Sequence, residues 1–282
     1  MMRARSTLRA AGVTTVALAV VATGCAADQE GVAAGDVYVG HVHGIGVDPA
    51  DGALYVGAHG GLFRLADGEL SPVSGWTSDT MGFTVVGAGT FLASGHPAPD
   101  QDGPGLLGLN RSTDAGESWS EVSLVGEADF HSLDAVDGAI WGYDSVSGRL
   151  LTSADGKDWA SVTEGAILDV AVQPGRPDEA LATTGEGRLV RVSSDGSTAP
   201  EPLESPPLVL VDATESGELV GLGPDGAVHV QANGGRWEPA GEVPGGLQAL
   251  TATDDAWYAA TDTGIYVSSD RGEKWETAVR FS

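Results

Sequence analysis

The sequence predicts an all-β fold, a six-bladed β-propeller with four-stranded blades, and three observations carry that prediction. A turn followed by a glycine-led strand recurs six times, at Gly61-Leu62-Phe63, Gly108-Leu109-Asn110, Gly148-Arg149-Leu150, Gly187-Arg188-Leu189, Gly226-Ala227-Val228 and Gly264-Ile265-Tyr266. The leading glycines are 47, 40, 39, 39 and 38 residues apart. Each interval holds several short apolar runs split by turn residues, and one such unit cannot bury its own apolar face, so successive units must stack. No stretch shows a sustained apolar period of about 3.6 residues with helix caps, so almost no helix is expected.

The N-terminus reads as a lipoprotein signal over residues 1–24. Arg3, Arg5 and Arg9 precede a short apolar run from Ala10 to Ala22, which is too short to span a bilayer. Ala22-Thr23-Gly24-Cys25 resembles a bacterial lipobox, which implies lipidation of Cys25. Cys25 is the only cysteine, so no internal disulfide is available and stability must come from the core. Residues 25–36 then form the lipidated cysteine and a short tether, and 37–282 form one propeller domain. This places the protein outside the cell, anchored to the membrane through its lipid only.

Removing three arginines and no acids from 14 Lys+Arg and 40 Asp+Glu leaves 11 against 40, a net charge of −29. Such a surface repels phosphate backbones, which argues against nucleic acid as a partner, and attracts cations.

In the first repeat the four strands fall at 43–48, 54–58, 61–65 and 70–74, called a to d from first to last. Asp48-Pro49-Ala50-Asp51-Gly52 and Ala66-Asp67-Gly68 supply turns. The later second strands are expected at 91–94, 140–143, 179–183, 218–222 and 257–260. A longer loop between strands b and c, Pro97 to Gly105, accounts for the first, wider interval and follows directly on His96. It reads as a rim on a site or as a tolerated surface insertion. Pro200 to Pro207 reads as a loop between blades four and five.

Several repeats end strand c in one turn. Ser112-Thr113-Asp114-Ala115-Gly116-Glu117-Ser118-Trp119 and Ser268-Ser269-Asp270-Arg271-Gly272-Glu273-Lys274-Trp275 fit Ser-x-Asp-x-Gly-x-x-Trp completely. Thr152 to Trp159 fits with Ala154 at the Asp position and Asp155 beside it. The Ser and Asp side chains can bond the turn's own backbone, the Gly supplies a permissive φ, and the Trp packs between blades. This turn resembles the Asp box of the bacterial neuraminidase repeat class, which includes sialidases, sortilin-type propellers and related glycosidases. The resemblance implies a structural role for Asp114, Gly116, Trp119, Trp159, Asp270, Gly272 and Trp275, on the face opposite the functional site.

Sialidase chemistry itself is not expected. That class uses three arginines on the substrate carboxylate and a Tyr–Glu pair, with a Phe/Tyr-Arg-Ile-Pro segment. Here the nearest match, Leu62-Phe63-Arg64-Leu65, lacks the proline and lies on a third strand.

The histidines point elsewhere. Five of the six, His41, His43, His59, His96 and His131, lie in the first three repeats. With the repeats aligned on their leading glycines, His43 corresponds to Met81 and His131 at the start of strand a, and to Leu168, Leu210 and Leu247 in later blades. Two residues earlier stand His41, Asp79 and Asp129. At the end of strand b, His59 corresponds to His96, with Ser145 near that point in the third repeat. These positions open on one face by the central channel, so the pattern predicts a Zn or Cu site built from His43, His59, His96 and His131, with Met81 and His41 as secondary ligands. The same residues could instead form a metal-free polar pocket for a small ligand, or serve structure alone.

His41-Val-His-Gly-Ile-Gly, Ser94-Gly-His-Pro-Ala-Pro and Gly126-Glu-Ala-Asp-Phe-His131 resemble a group of exported bacterial Asp-box proteins often labelled glycosyl hydrolases by fold analogy. A non-sialidase glycosidase acting on envelope glycans is therefore the second reading, with Glu127, Asp129 and Asp79 as the candidate carboxylates. A protein-interaction scaffold presented to an envelope partner is the third.

Overall fold

The computed structural model describes residues 33–34, 37–99, 101–232 and 234–281. Six antiparallel four-stranded sheets follow one another along the chain, each in simple meander order. Blade 1 is Val42–Val47, Leu54–Ala58, Gly61–Ala66 and Glu69–Pro72. Blade 2 is Asp79–Gly87, Thr90–His96, Leu109–Ser112 and Ser120–Ser123. Blade 3 is Phe130–Val136, Ala139–Asp144, Arg149–Ser153 and Ala160–Glu164. Blade 4 is Ile167–Ala171, Glu179–Thr184, Leu189–Ser193 and Glu201–Pro202. Blade 5 is Leu210–Ala213, Leu219–Leu222, Ala227–Gln231 and Glu238–Glu242. Blade 6 is Leu247–Ala252, Trp257–Thr261, Gly264–Ser268 and Glu276–Arg280. The chain is a six-bladed β-propeller. The described residues contain strands and turns and no helix.

Two expected details shift. The segment from Pro200 to Pro207 contains the outermost strand of blade 4, Glu201–Pro202, which pairs with Val190 and Arg191. The turn ending at Trp159 is one residue shorter than its counterparts. Ser153, not Thr152, accepts the Gly156 N–H at 2.8 Å, and Asp155 takes the amides of Lys157 and Asp158. The lipidation of Cys25 and the signal segment lie outside the described residues.

Six apolar cores lie between successive blades, each fed by both neighbours. Blades 1 and 2 share Tyr55, Leu62, Val73, Trp76, Phe83 and Phe91. Fully burying one such side chain stabilises by about 1.5–3 kcal/mol, so the ring is held by stacking rather than by exchange of strands. The ring closes where Ala249, Ala260 and Ile265 of blade 6 pack with Val42, Leu54 and Val56 of blade 1. Gln248 adds a clasp there, its Oε1 accepting the Val42 N–H at 3.0 Å.

The Ser–Asp–Gly–Trp turns work as local braces. Ser112 Oγ accepts the Gly116 N–H at 2.9 Å and donates to Asp114 Oδ1 at 2.9 Å, while Trp119 Nε1 donates to the Gly116 carbonyl at 3.0 Å. Ser268, Asp270, Gly272 and Trp275 repeat this pattern. Trp119 also packs on Trp76 of blade 1, with ring centres 4.6 Å apart.

Candidate functional site: a histidine mouth

The innermost strands carry the device that builds the site. In blades 1, 2 and 3 the pairing to the second strand skips a residue, between Val42 and Gly44, Thr80 and Gly82, and Phe130 and Ser132. The skipped residues are His43, Met81 and His131. A β-bulge leaves its extra residue out of the ladder and re-aims its side chain. Blade 4 bulges at Leu168 and blade 6 at Gln248, whereas blade 5 pairs from Leu210 without a skip. Repeat alignment puts Leu247 at the blade 6 position. The bulge moves that role to Gln248.

The residue after each bulge brings neighbouring inner strands together. A Cβ on Gly44 would lie 2.6 Å from the Phe83 carbonyl oxygen, and one on Gly82 would lie 2.5 Å from that of Phe130. Only glycine permits this approach. In blade 3 the equivalent Ser132 instead accepts the Val170 N–H at 3.0 Å.

Tight stacking of the first three inner strands gathers the histidines. Ring centres are 4.7 Å apart for His41–His43, 4.8 Å for His43–His59 and 6.1 Å for His43–His131. Two carboxylates lace the rest. His131 Nε2 lies 2.8 Å from Asp129 Oδ2, which also accepts the Ser145 hydroxyl at 3.0 Å. His96 sits between the acids, its Nε2 3.4 Å from Asp129 Oδ2 and its Nδ1 3.4 Å from Asp79 Oδ2. His59 Nε2 approaches Asp79 Oδ1 at 4.0 Å. The result is an alternating row: His131, Asp129, His96, Asp79, His59.

Burial sets the electrostatics. Desolvation, reinforced by His41, His59, His131 and His96, pushes the His43 imidazole down to about 2, so it is neutral. Burial, with help from His59, also lowers His41. At Asp129 burial raises the carboxyl, but the bond from His131, the charges of His131 and His96 and the Ser145 hydroxyl outweigh it and hold the group below the usual range. Among the described residues, His43 Nε2, Asp79 Oδ1 and Asp129 Oδ1 are buried without a hydrogen-bond partner.

No three of these donors converge as a ready coordination sphere among the described residues. The carboxylates hold imidazole nitrogens instead, Asp129 those of His131 and His96, and Asp79 that of His96.

The carboxylates offered for a glycosidase fare differently. Asp79 and Asp129 both face the His96 imidazole, one on each ring nitrogen. Glu127 is exposed on a turn, its N–H bonded to the Leu124 carbonyl. The loop after His96 is pinned by Gln101, whose Oε1 accepts from Ser78 Oγ at 2.8 Å and from the Ala98 N–H at 3.1 Å. It therefore packs on the residues leading into Asp79.

In a four-stranded meander the starts of the inner strands share a face with the turns between second and third strands. The histidines occupy that face, and the Ser–Asp–Gly–Trp turns lie on the other. The large apolar side chains exposed among the described residues, Tyr38, Val146 and Leu168, also stand on the histidine face.

Behind the mouth runs a channel of about 520 Å3, lined by His41, His43 and His131 and, deeper, by Asp134, Asp169 and Asp212. Repeat alignment does not single out these three acids, although a carboxylate within an apolar inner strand was a visible signal. Each reaches the next blade's backbone: Asp134 accepts from Val172 N–H, Asp169 from Val211 and Asp212 from Ala252. Burial raises all three, Asp134 to about 6 and Asp169 to about 7.

The fold is shared with solved propellers. A gluconolactonase from Xanthomonas campestris superposes with a TM-score of 0.64 at 17% identity, covering 80% of this chain and 84% of its own. Virginiamycin B lyase from Staphylococcus aureus superposes at 0.58, with 15% identity and 84% of each chain covered. YCF48 bound to a D1 peptide superposes at 0.51, with 20% identity over 84% of this chain and 82% of that one. No family model and no curated protein matches the chain. At these identities the likeness shows the propeller class and nothing of activity.

Proposed function

We propose that the protein is an exported, lipid-anchored propeller of the Asp-box class that binds a transition-metal ion at the histidine mouth. One observation carries the reading. His43 is packed among three other imidazoles with its Nε2 buried and unpartnered. A buried orphan nitrogen costs about 1–3 kcal/mol, and a neutral imidazole lone pair is a metal ligand. Asp129 on His131 Nε2 leaves Nδ1 of that ring for an ion, and Asp79 stands to His59 in a looser version of the same relation. His96, with a carboxylate on each nitrogen, holds the two acids in register.

The channel behind the mouth supports a small organic ligand as the second reading.

The test is elemental analysis of the purified, tag-free protein beside a His43→Ala/His131→Ala double variant. Near-stoichiometric metal in the wild type and little in the variant is the expected result. No metal in either, even after incubation with Zn or Cu salts, would overturn the reading and leave the organic ligand to be pursued.

A further inference from the structure

Met81 is buried, with 6% of its surface exposed. Every other large buried apolar side chain among the described residues belongs to one of the six cores between blades; Met81 belongs to none of them. Its burial therefore has a different source.

The topology supplies it. Met81 is the bulged residue of the inner strand of blade 2, the position held by His43 in blade 1 and His131 in blade 3. Those flanking rings are 6.1 Å apart, and the glycine contacts at Gly44 and Gly82 press the three strands together. Two residues before Met81 stands Asp79, which faces His96 and His59. Met81 therefore stands at the level of the histidine cluster and outside the apolar cores.

A thioether neither hydrogen-bonds strongly nor ligates hard cations, but it is a good ligand for soft ones. Among imidazoles it shifts preference from Zn(II) toward Cu(I). One oxygen of each nearby carboxylate is already engaged, Asp129 Oδ2 by His131, Ser145 and His96, and Asp79 Oδ2 by His96. We infer that Met81 is a ligand at the histidine mouth and that the site takes a soft monovalent ion, Cu(I) or its mimic Ag(I). This rests on the metal-binding reading above.

The test compares anaerobic Cu(I) affinity, measured by competition with bicinchoninate, with Zn(II) affinity measured by competition with a chromogenic chelator. The wild type is set beside Met81→Leu, a swap that conserves volume. Wild-type preference for Cu(I), and a fall of at least tenfold in the Cu(I)/Zn(II) affinity ratio in the variant, is the expected result. X-ray absorption of the Cu(I)-loaded wild type should show a sulfur neighbour, a readout that does not depend on the variant folding. Zn(II) binding without Cu(I) preference, an unchanged ratio, or a copper shell without sulfur would overturn the inference and leave metal binding standing. Failure of the wild type to bind either ion would overturn both.

Discussion

His43 and His131 come from blades separated by a third, yet their rings lie 6.1 Å apart. The intervening strand narrows the gap because Gly44 and Gly82 let backbone carbonyls approach where a Cβ would clash. The histidine mouth is thus a consequence of how closely three inner strands stack.

That dependence predicts the effect of Gly44→Ala. The added carbon must push against the Phe83 carbonyl, which should destabilise the fold by about 1–3 kcal/mol and displace His43. Denaturant unfolding and metal content should change together. A stability loss with metal content intact would show that the mouth tolerates a looser stack.

Asp129→Asn keeps the shape but weakens the acceptor for His131 and Ser145. Loss of such an outer-shell carboxylate lowers metal affinity by about 10–100-fold. Competition titration should show that loss while circular dichroism remains that of the wild type.

Ser112→Ala removes an acceptor for the Gly116 amide on the opposite face. It should cost about 1–2 kcal/mol of stability and leave metal binding unchanged. Any effect on the metal would mean that the two faces are coupled.

Stability should depend on pH in two opposing ways, measured on the metal-free protein. Asp169 rises from 3.8 to about 7 on folding, so the folded chain holds a proton the unfolded chain has lost. That term favours the fold at low pH and fades as pH rises from about 4 to 7. His43 falls from 6.5 to about 2, so the unfolded chain takes the proton first and stability drops as pH falls below 6.5. Between these limits the two terms oppose each other, each on the order of 1 kcal/mol per pH unit.

The variants separate them. Asp169→Asn should lose stability on acidification from pH 6.5 to 4, and His43→Gln should gain it. Urea midpoints across that range check the signs.

The repeat period and its turn residues were enough to specify a six-bladed propeller, because each unit needs neighbours to bury its apolar faces. The alignment of those repeats also put His43, Met81 and His131 at one level, and His59 with His96 at another. Equivalent positions in a ring of equivalent blades open on the same face, so grouping was legible without coordinates.

What the tertiary structure decided lies between blades. Repeat alignment could not show that Gln248 rather than Leu247 takes the bulge, since a one-residue slip is invisible in a repeat of fluctuating length. Nor could it show that His96 separates Asp79 from Asp129, that Met81 stands outside every core, or that Asp134, Asp169 and Asp212 tie successive inner strands. Those facts depend on packing distances across blades, and a repeat pattern encodes level along a strand but not separation around the ring.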